Sequence, residues 1–192
     1  MSKVAVIGGG AGGMMAACIA AGNGHRVTLF EQNEKLGKKI YITGKGRCNL
    51  TNACDTEDLF AAIMKNAKFL YSAIYTFDNH ALMDYFAGLG LKMKIERGNR
   101  VFPQSDHASD VIRVLTDELH RKKVRICLNT KVQEIVSDGT KVTGVRWDCH
   151  DTHQKIRSKH LMRWWLPVEV CLIRRQGLME VDLNCVKNLD IR

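Results

Sequence analysis

The pattern of apolar residues predicts buried strands that alternate with helices in the first part of the chain. Residues 4–7 form a continuous apolar run rich in β-branched side chains, which is typical of a strand covered on both faces. Residues 14–21 are small and helix-forming, and residues 26–30 predict a second strand. The order of strand, helix and strand predicts an α/β fold built on a parallel sheet.

The pattern up to residue 147 predicts further helices and strands. The predicted helices span residues 55–76, 80–87 and 109–121, and the predicted strands span residues 91–97, 124–128, 131–136 and 142–147. In the third of these helices, the expected inward residues are Val111, Ile112, Leu115 and Leu119. The last two strands are expected to form a hairpin about a turn at residues 137–140.

A glycine-rich turn joins the first predicted strand to the first predicted helix. Its sequence GGGAGG satisfies the G-x-G-x-x-G pattern, in which the glycines permit a tight turn, the approach of a diphosphate and close packing of helix on strand. Glu31 follows the second strand, where a ribose hydroxyl needs an acceptor, and its charge should disfavour a 2′-phosphate. The pattern predicts a dinucleotide site at Gly8, Gly10, Ala11, Gly12, Gly13 and Glu31. A turn that serves packing alone and a solvated Glu31 are the open alternatives.

A second motif, LGKKIYITGKGRCNLTN, spans residues 36–52. With the glycine-rich turn and Glu31, it resembles FAD-dependent oxidoreductases of the BaiN, or aminoacetone-oxidase-like, family, whose members carry a GKK…TGxGRCNxTN signature after the ribose acid. The sequence RVFPQS at residues 100–105 is similar to the GRVFPxS element of that family, with Asn99 in place of its glycine. The resemblance covers about residues 1–147.

The resemblance implies a Rossmann-like FAD-binding fold of glutathione-reductase type, with a β-meander and an incomplete C-terminal end. It implies transfer of electrons or hydride through FAD, between a nicotinamide or O₂ and a small organic substrate. Amino-ketone-like amines and unsaturated 3-oxo bile acids are the substrates that the family suggests, and NAD(P)H is the candidate co-substrate. No catalytic residue is assigned. The further candidate cofactor residues are Lys38, Thr43, Gly44, Gly46, Arg47, Cys48 and Asn49, with the backbone of Val132 expected at the adenine.

Some of these residues keep more than one interpretation. Arg47 could place its charge near the diphosphate or near the pyrimidine ring of the flavin. The lysines around Lys38 could form a solvated face. Cys48 lacks a CxxC partner, so a packed residue is favoured over a redox thiol.

Composition narrows the class of protein. Seven cysteines without CxxC spacing argue against a disulfide scaffold or a metal site, and no apolar run is long enough to span a bilayer. The net charge of +9 is spread along the chain, which suits anionic partners but is weak evidence for nucleic acid. We expect a small-molecule substrate, as the resemblance implies, and neither a nucleic-acid nor a membrane partner. Without a signal peptide, the expected location is the cytoplasm. An NAD-binding dehydrogenase or sensor and a basic nucleic-acid-binding module are the rival functions, and the oligomeric state is open.

The composition changes after residue 147. Fifteen of the sixteen glycines precede that point, and the tail has the period of neither a strand nor a helix. When the tail is reverse-translated and read one nucleotide earlier, its codons permit a segment similar to the second glycine motif of the family. We therefore expect a partial FAD-binding domain at 1–147 and an out-of-frame tail at 148–192, the chain being an inactive N-terminal fragment. A genuine short protein is the rival interpretation.

Overall fold

The computed structural model describes residues 1–138, 140, 142–150, 157–163 and 168–172. The chain divides into two compact units. The first unit comprises Met1–Lys38 and Thr116–Arg192, and the second unit comprises Lys39–Leu115.

The described residues contain ten strands and six α-helices. The strands are β1 (Lys3–Ile7), β2 (Arg26–Phe30), β3 (Thr51–Asn52), β4 (Met93–Glu96), β5 (Arg100–Pro103), β6 (Arg125–Cys127), β7 (Thr130–Ser137), β8 (Val142–His150), β9 (Arg157–Arg163) and β10 (Val168–Leu172). The helices are α1 (Ala11–Gly22), α2 (Lys38–Ile42), α3 (Thr56–Ala61), α4 (Tyr71–Thr76), α5 (Asn79–Gly88) and α6 (Ala108–Arg121). Short 3₁₀ turns lie at Thr43–Gly46 and Ala67–Leu70.

A parallel sheet forms the centre of the first unit. Its strand order is β10-β1-β2-β6, and every neighbouring pair is parallel. Helix α1 packs on β1 and β2, and its residues Met14, Ala17 and Cys18 are fully buried. Burial of these side chains drives the helix onto the sheet, since each removes apolar surface from water. The predicted strand, helix and strand at the start of the chain are therefore confirmed.

An antiparallel sheet of order β7-β8-β9 completes the first unit. Its Val145 packs with Ala5 and Phe30 in one buried cluster, and the ring of Trp147 lies 5.2 Å from that of Phe30. The predicted hairpin is confirmed, with both strands longer than expected.

The second unit contains an antiparallel sheet of order β3-β5-β4. Asn79, at the start of α5, fixes the neighbouring loop because its side-chain nitrogen donates to the carbonyl oxygens of Asn52 and Cys54, both at 2.7 Å. Val101 and Phe102 of β5 are buried. The strand predicted at residues 91–97 is shorter in the structure, where β4 spans Met93–Glu96. The helix predicted at residues 80–87 is confirmed as α5.

The continuous helix predicted at residues 55–76 is wrong. The chain forms α3, then a 3₁₀ turn, then α4, and Asn66 has a left-handed φ of 55° before the turn. No residue of α3 or α4 is buried, and Phe69 and Tyr75 are 85% and 70% exposed. An apolar face gives a long helix its stability only when it packs on something. The helical periodicity of apolar residues is therefore not sufficient to predict one continuous helix at residues 55–76.

Two other expectations need adjustment. In α6 the buried apolar residues are Ala108, Val111, Val114, Leu115 and Leu119, so Ile112 is less buried than predicted and Val114 was overlooked. The tail, for which no element was predicted, contains β9 and β10. Strand β10 pairs with β1 in parallel. The reading-frame hypothesis stays a prediction.

Candidate nucleotide-binding site

The glycine-rich turn begins directly after β1. Gly8 adopts a φ of 105°, which side chains disfavour, and its backbone N–H donates to the carbonyl oxygen of Phe30 at 2.8 Å. Gly10 caps α1, whose first turn is closed by the bond from the N–H of Met14 to the carbonyl oxygen of Gly10 at 2.9 Å. The turn therefore ties the end of β1 to both β2 and α1.

The third glycine is required by close packing. A Cβ atom at Gly13 would lie 1.8 Å from the carbonyl oxygen of Gly8, so no side chain fits between α1 and the turn. A Cβ atom at Gly10 would meet nothing within 4 Å. The space beside Gly10 is open at the start of α1, where Ala11 and Gly12 are exposed. The first N–H groups of a helix lack partners within it, so this end suits an anion.

Glu31 is fixed against the glycine-rich turn. Its side chain is 7% exposed, which excludes the solvated-acid alternative. Its Oε2 atom accepts from the N–H of Gly9 at 2.6 Å. Its Oε1 atom accepts from the N–H of Asn33 at 2.8 Å and from the Asn33 amide at 2.5 Å. The carboxylate is thus held at the carboxyl end of the parallel sheet, close to the start of α1.

Asn33 is a residue that sequence reasoning missed. Besides binding Glu31, its carbonyl oxygen accepts from the N–H of Asn129 at 3.0 Å, and its Oδ1 atom lies 3.5 Å from the Lys38 ammonium. Lys38 is also 3.2 Å from the carboxylate of Glu34. Lys38, the first residue of α2, therefore contacts the loop that supports Glu31.

Val132 lies in β7, opposite Trp147 of β8. It packs against the buried cluster of Ala5, Phe30 and Val145. The expected backbone contact of Val132 with an adenine stays a prediction.

The second motif belongs mostly to the second unit. Thr43, Gly44 and Gly46 lie in the 3₁₀ turn Thr43–Gly46, directly after α2. Cys48 is buried, and burial raises the pKa of its thiol, which disfavours a reactive thiolate. The interpretation of Cys48 as a packed residue is thereby supported. The side-chain amide of Asn49 satisfies its neighbours when its nitrogen faces two carbonyl oxygens. In that orientation the nitrogen donates to the carbonyl oxygens of Val101 and Thr51.

Arg47 belongs to a four-charge network within the second unit. Its guanidinium donates to Asp106 at 2.6 and 2.8 Å and to Glu96 at 2.5 Å, and it lies 4.2 Å from the ring centre of Phe102. Lys94 donates to the other oxygen of Asp106 at 2.5 Å. Two cations and two carboxylates thus balance each other. Arg47 therefore joins β4 to the segment after β5. The expected contact of Arg47 with the cofactor stays a prediction.

The network predicts an acid-sensitive stability. Hydrogen bonds from Lys94 and Arg47 lower the pKa of Asp106 below 3.8, and a hydrogen bond from Arg47 lowers the pKa of Glu96 below 4.5. Carboxyl groups with lowered pKa values stabilise the fold above their ordinary pKa, and this stabilisation is lost as the pH falls through the lowered values. The test is Asp106→Asn, since asparagine also tolerates the φ of 60° at this position.

We expect Asp106→Asn to lower the melting temperature at neutral pH. The difference from the unmodified protein should shrink as the pH falls below 3.8, where its carboxylate is also lost. Thermal unfolding followed by circular dichroism, from neutral pH to below pH 3.8, measures this difference in melting temperature. A difference that stays constant with pH contradicts a role for the charge of Asp106.

In the part of the chain that the structure describes, no group of three or more His, Cys, Asp or Glu residues is arranged to hold a metal ion. No helix among these residues is long and apolar enough to cross a membrane.

The chain is similar to proteins of known activity over about 70% of its length. It is 38% identical over 137 residues to a 3-dehydro-bile acid Δ(4,6)-reductase of Clostridium scindens, and the aligned region covers 70% of this chain and 33% of that protein. It is 30% identical over 138 residues to a ribosomal RNA dihydrouridine synthase of Escherichia coli, and the aligned region covers 72% of this chain and 34% of that protein. The chain thus spans about a third of the length of these relatives.

Solved structures share the fold at low identity. A 3-ketosteroid-Δ4-(5α)-dehydrogenase from Rhodococcus jostii superposes with a TM-score of 0.64 at 14% identity, covering 88% of this chain and 45% of that one. THI4 of Thermovibrio ammonificans superposes with a TM-score of 0.58 at 12% identity, covering 84% of this chain and 53% of that one. These likenesses confirm the predicted Rossmann-type fold. Residues 2–162 match the family described as HI0933-like protein Rossmann domain, and the chain belongs to that family.

Proposed function

We propose that this chain is the FAD-binding part of a flavin-dependent oxidoreductase. The observation that carries the proposal is the glycine-rich turn, where Gly13 leaves no room for a Cβ atom while the space beside Gly10 is open. Packing alone accounts for Gly13 but gives no reason for a glycine at position 10, where a side chain would meet nothing within 4 Å. A diphosphate needs such a position, because the backbone N–H groups must approach its oxygens.

The residues of the first unit fit the ADP half of FAD. The backbone N–H groups of the exposed residues Ala11 and Gly12 would hold the diphosphate at the start of α1. A carboxylate has about four acceptor sites, and Gly9 and Asn33 occupy three of those of Glu31. The remaining site on Oε2 would accept a hydrogen bond from a ribose hydroxyl. Glu31 would therefore orient the nucleotide without moving, because its carboxylate is already fixed.

Bound FAD would supply the hydride and electron transfer, which protein side chains cannot perform. A substrate with a carbon–carbon double bond conjugated to a carbonyl group is the class we propose. The names of the relatives support it: a 3-dehydro-bile acid Δ(4,6)-reductase acts on such a ring, and dihydrouridine differs from uridine by saturation of such a bond. A nicotinamide is the proposed hydride donor.

Titration of the purified chain with FAD, FMN, ADP and NAD⁺ tests the proposal. We expect FAD to bind more tightly than FMN, because FMN lacks the ADP half, and we expect ADP to compete with FAD. Reduction of the bound flavin by NADH or NADPH is expected of the whole protein and not of this chain, which spans about a third of its relatives.

Two outcomes would count against the proposal. Tighter binding of NAD⁺ than of FAD would favour an NAD-dependent dehydrogenase or sensor. Equal binding of FAD and FMN would mean that the glycine-rich turn and Glu31 do not hold the ADP half.

A further inference from the structure

A basic groove lies at the amino-terminal ends of β1, β2 and β6, at the end of the sheet opposite to the glycine-rich turn. We name as the basic groove the surface whose charged lining residues are Lys3, Arg26, Lys122, Lys123 and Arg125. His25 and Met1 also line it, and no Asp or Glu is among its lining residues in the described part of the chain. The described lining of the groove therefore carries only positively charged side chains.

Four of the five charged groups that line the basic groove have no carboxylate partner in the described part of the chain. Within the residues that the structure describes, no carboxylate lies within ion-pair distance of Lys3, Arg26, Lys123 or Arg125. Arg26, Lys123 and Arg125 are exposed. Lys122 differs, since its ammonium lies 3.1 Å from Glu118 and donates to the carbonyl oxygen of Cys18. By contrast, Arg47 and Lys94 of the second unit are each paired with carboxylates.

The parallel sheet arranges three of the cations in a row. Lys3 of β1 is the register partner of Arg26 of β2. Arg125 of β6 is the partner of Thr28, two residues after Arg26 and on the same face of β2. Neighbouring strands are about 4.8 Å apart, so the row extends about 10 Å across the sheet. A row of cations fits a polymer with one charge in each unit better than it fits one compact anion.

We propose that the basic groove binds the phosphodiester backbone of a nucleic-acid strand, without reading its sequence. The concave shape favours a strand over a flat lipid surface. The expectation of no nucleic-acid partner rested on positive charge spread along the chain. The fold changes that premise, because residues near positions 3, 26 and 125 meet in one groove. The inference goes beyond the proposed flavin chemistry and does not depend on it.

The test compares two triple variants of the full chain. Lys3→Gln/Arg26→Gln/Arg125→Gln removes the row, and Lys65→Gln/Lys68→Gln/Lys92→Gln removes three exposed charges of the second unit as the matched control. Fluorescence anisotropy with labelled single-stranded RNA and DNA of about 12 nucleotides measures affinity at several salt concentrations. FAD affinity and circular dichroism report whether each variant is folded.

We expect the groove variant to bind both strands about tenfold more weakly. The slope of the logarithm of its binding constant against the logarithm of the salt concentration should be smaller in magnitude by about two. Its FAD affinity should be unchanged. The control variant should lose much less affinity. Equal losses in both variants, or no loss in the groove variant, overturn the proposal. Full displacement of the RNA by tripolyphosphate at equal phosphate concentration would overturn the proposal in favour of a small anion as the ligand. Tighter binding of an acidic peptide of equal charge would overturn it in favour of a protein partner.

Discussion

Replacement of Gly13 by alanine is expected to destabilise the first unit by about 3 kcal/mol, because added atoms in a tightly packed site force the backbone to shift. The added Cβ atom would lie 1.8 Å from the carbonyl oxygen of Gly8. That atom belongs to the backbone of a turn whose N–H is bonded to Phe30, so it cannot move aside like the end of a flexible side chain. Urea unfolding of the ligand-free protein measures the loss.

Gly88→Ala is the matched control for this change. Gly88 is also helical, but a Cβ atom there would meet nothing within 4 Å. Alanine in a helix is more stable than glycine by about 0.5–1 kcal/mol, so this variant should be slightly more stable than the unmodified protein. If Gly13→Ala and Gly88→Ala have the same stability, α1 does not pack on the turn as described.

Gly10→Ala separates binding from packing in the same turn. Its Cβ atom would enter the open space at the start of α1, so the free energy of unfolding should change by only about 0.5 kcal/mol. A methyl group that overlaps the diphosphate costs about 3 kcal/mol, which corresponds to an FAD affinity about 100-fold weaker. Unchanged FAD affinity in this variant would contradict the proposed position of the diphosphate.

The start of the fold could be predicted from the sequence because its signals are local. The apolar run of β1, the glycines and the small residues of α1 lie within about twenty positions, and each requires the conformation of the next. Glu31 was also predictable, since it ends β2. Its firm attachment to Gly9 and Asn33 was not, because this depends on a loop that folds back onto the turn.

Arg47 shows why the role of a side chain is harder to predict than its place in a motif. Its motif suggested a cofactor contact, but its partners Glu96 and Asp106 are 49 and 59 positions away in the sequence. No local pattern contains such pairings. The segment at residues 55–76 failed for a related reason, since periodicity predicts an apolar face but not whether another element covers it.

The second large effect is expected at Glu31. Glu31→Ala should cost about 3 kcal/mol of stability, because the buried N–H of Gly9 and the partly buried donors of Asn33 would lose their charged acceptor. Glu31→Gln keeps one acceptor oxygen and should cost about half as much, since its amide group must face one of these donors. Glu34→Gln is the matched control, because Glu34 is in the same loop and its side chain is 54% exposed. It should leave stability nearly unchanged.

Glu31→Gln also tests the choice of nucleotide. In the unmodified protein, the carboxylate should repel a 2′-phosphate, so ADP should bind more tightly than its 2′-phosphorylated analogue. Loss of one negative charge near that phosphate is worth about 1.4 kcal/mol, so the preference should narrow about tenfold in Glu31→Gln and not in Glu34→Gln. Isothermal titration with both ligands measures the ratio. Because a ratio cancels any general loss of folded protein, an unchanged ratio would show that Glu31 does not face the ribose, even if the variant is less stable.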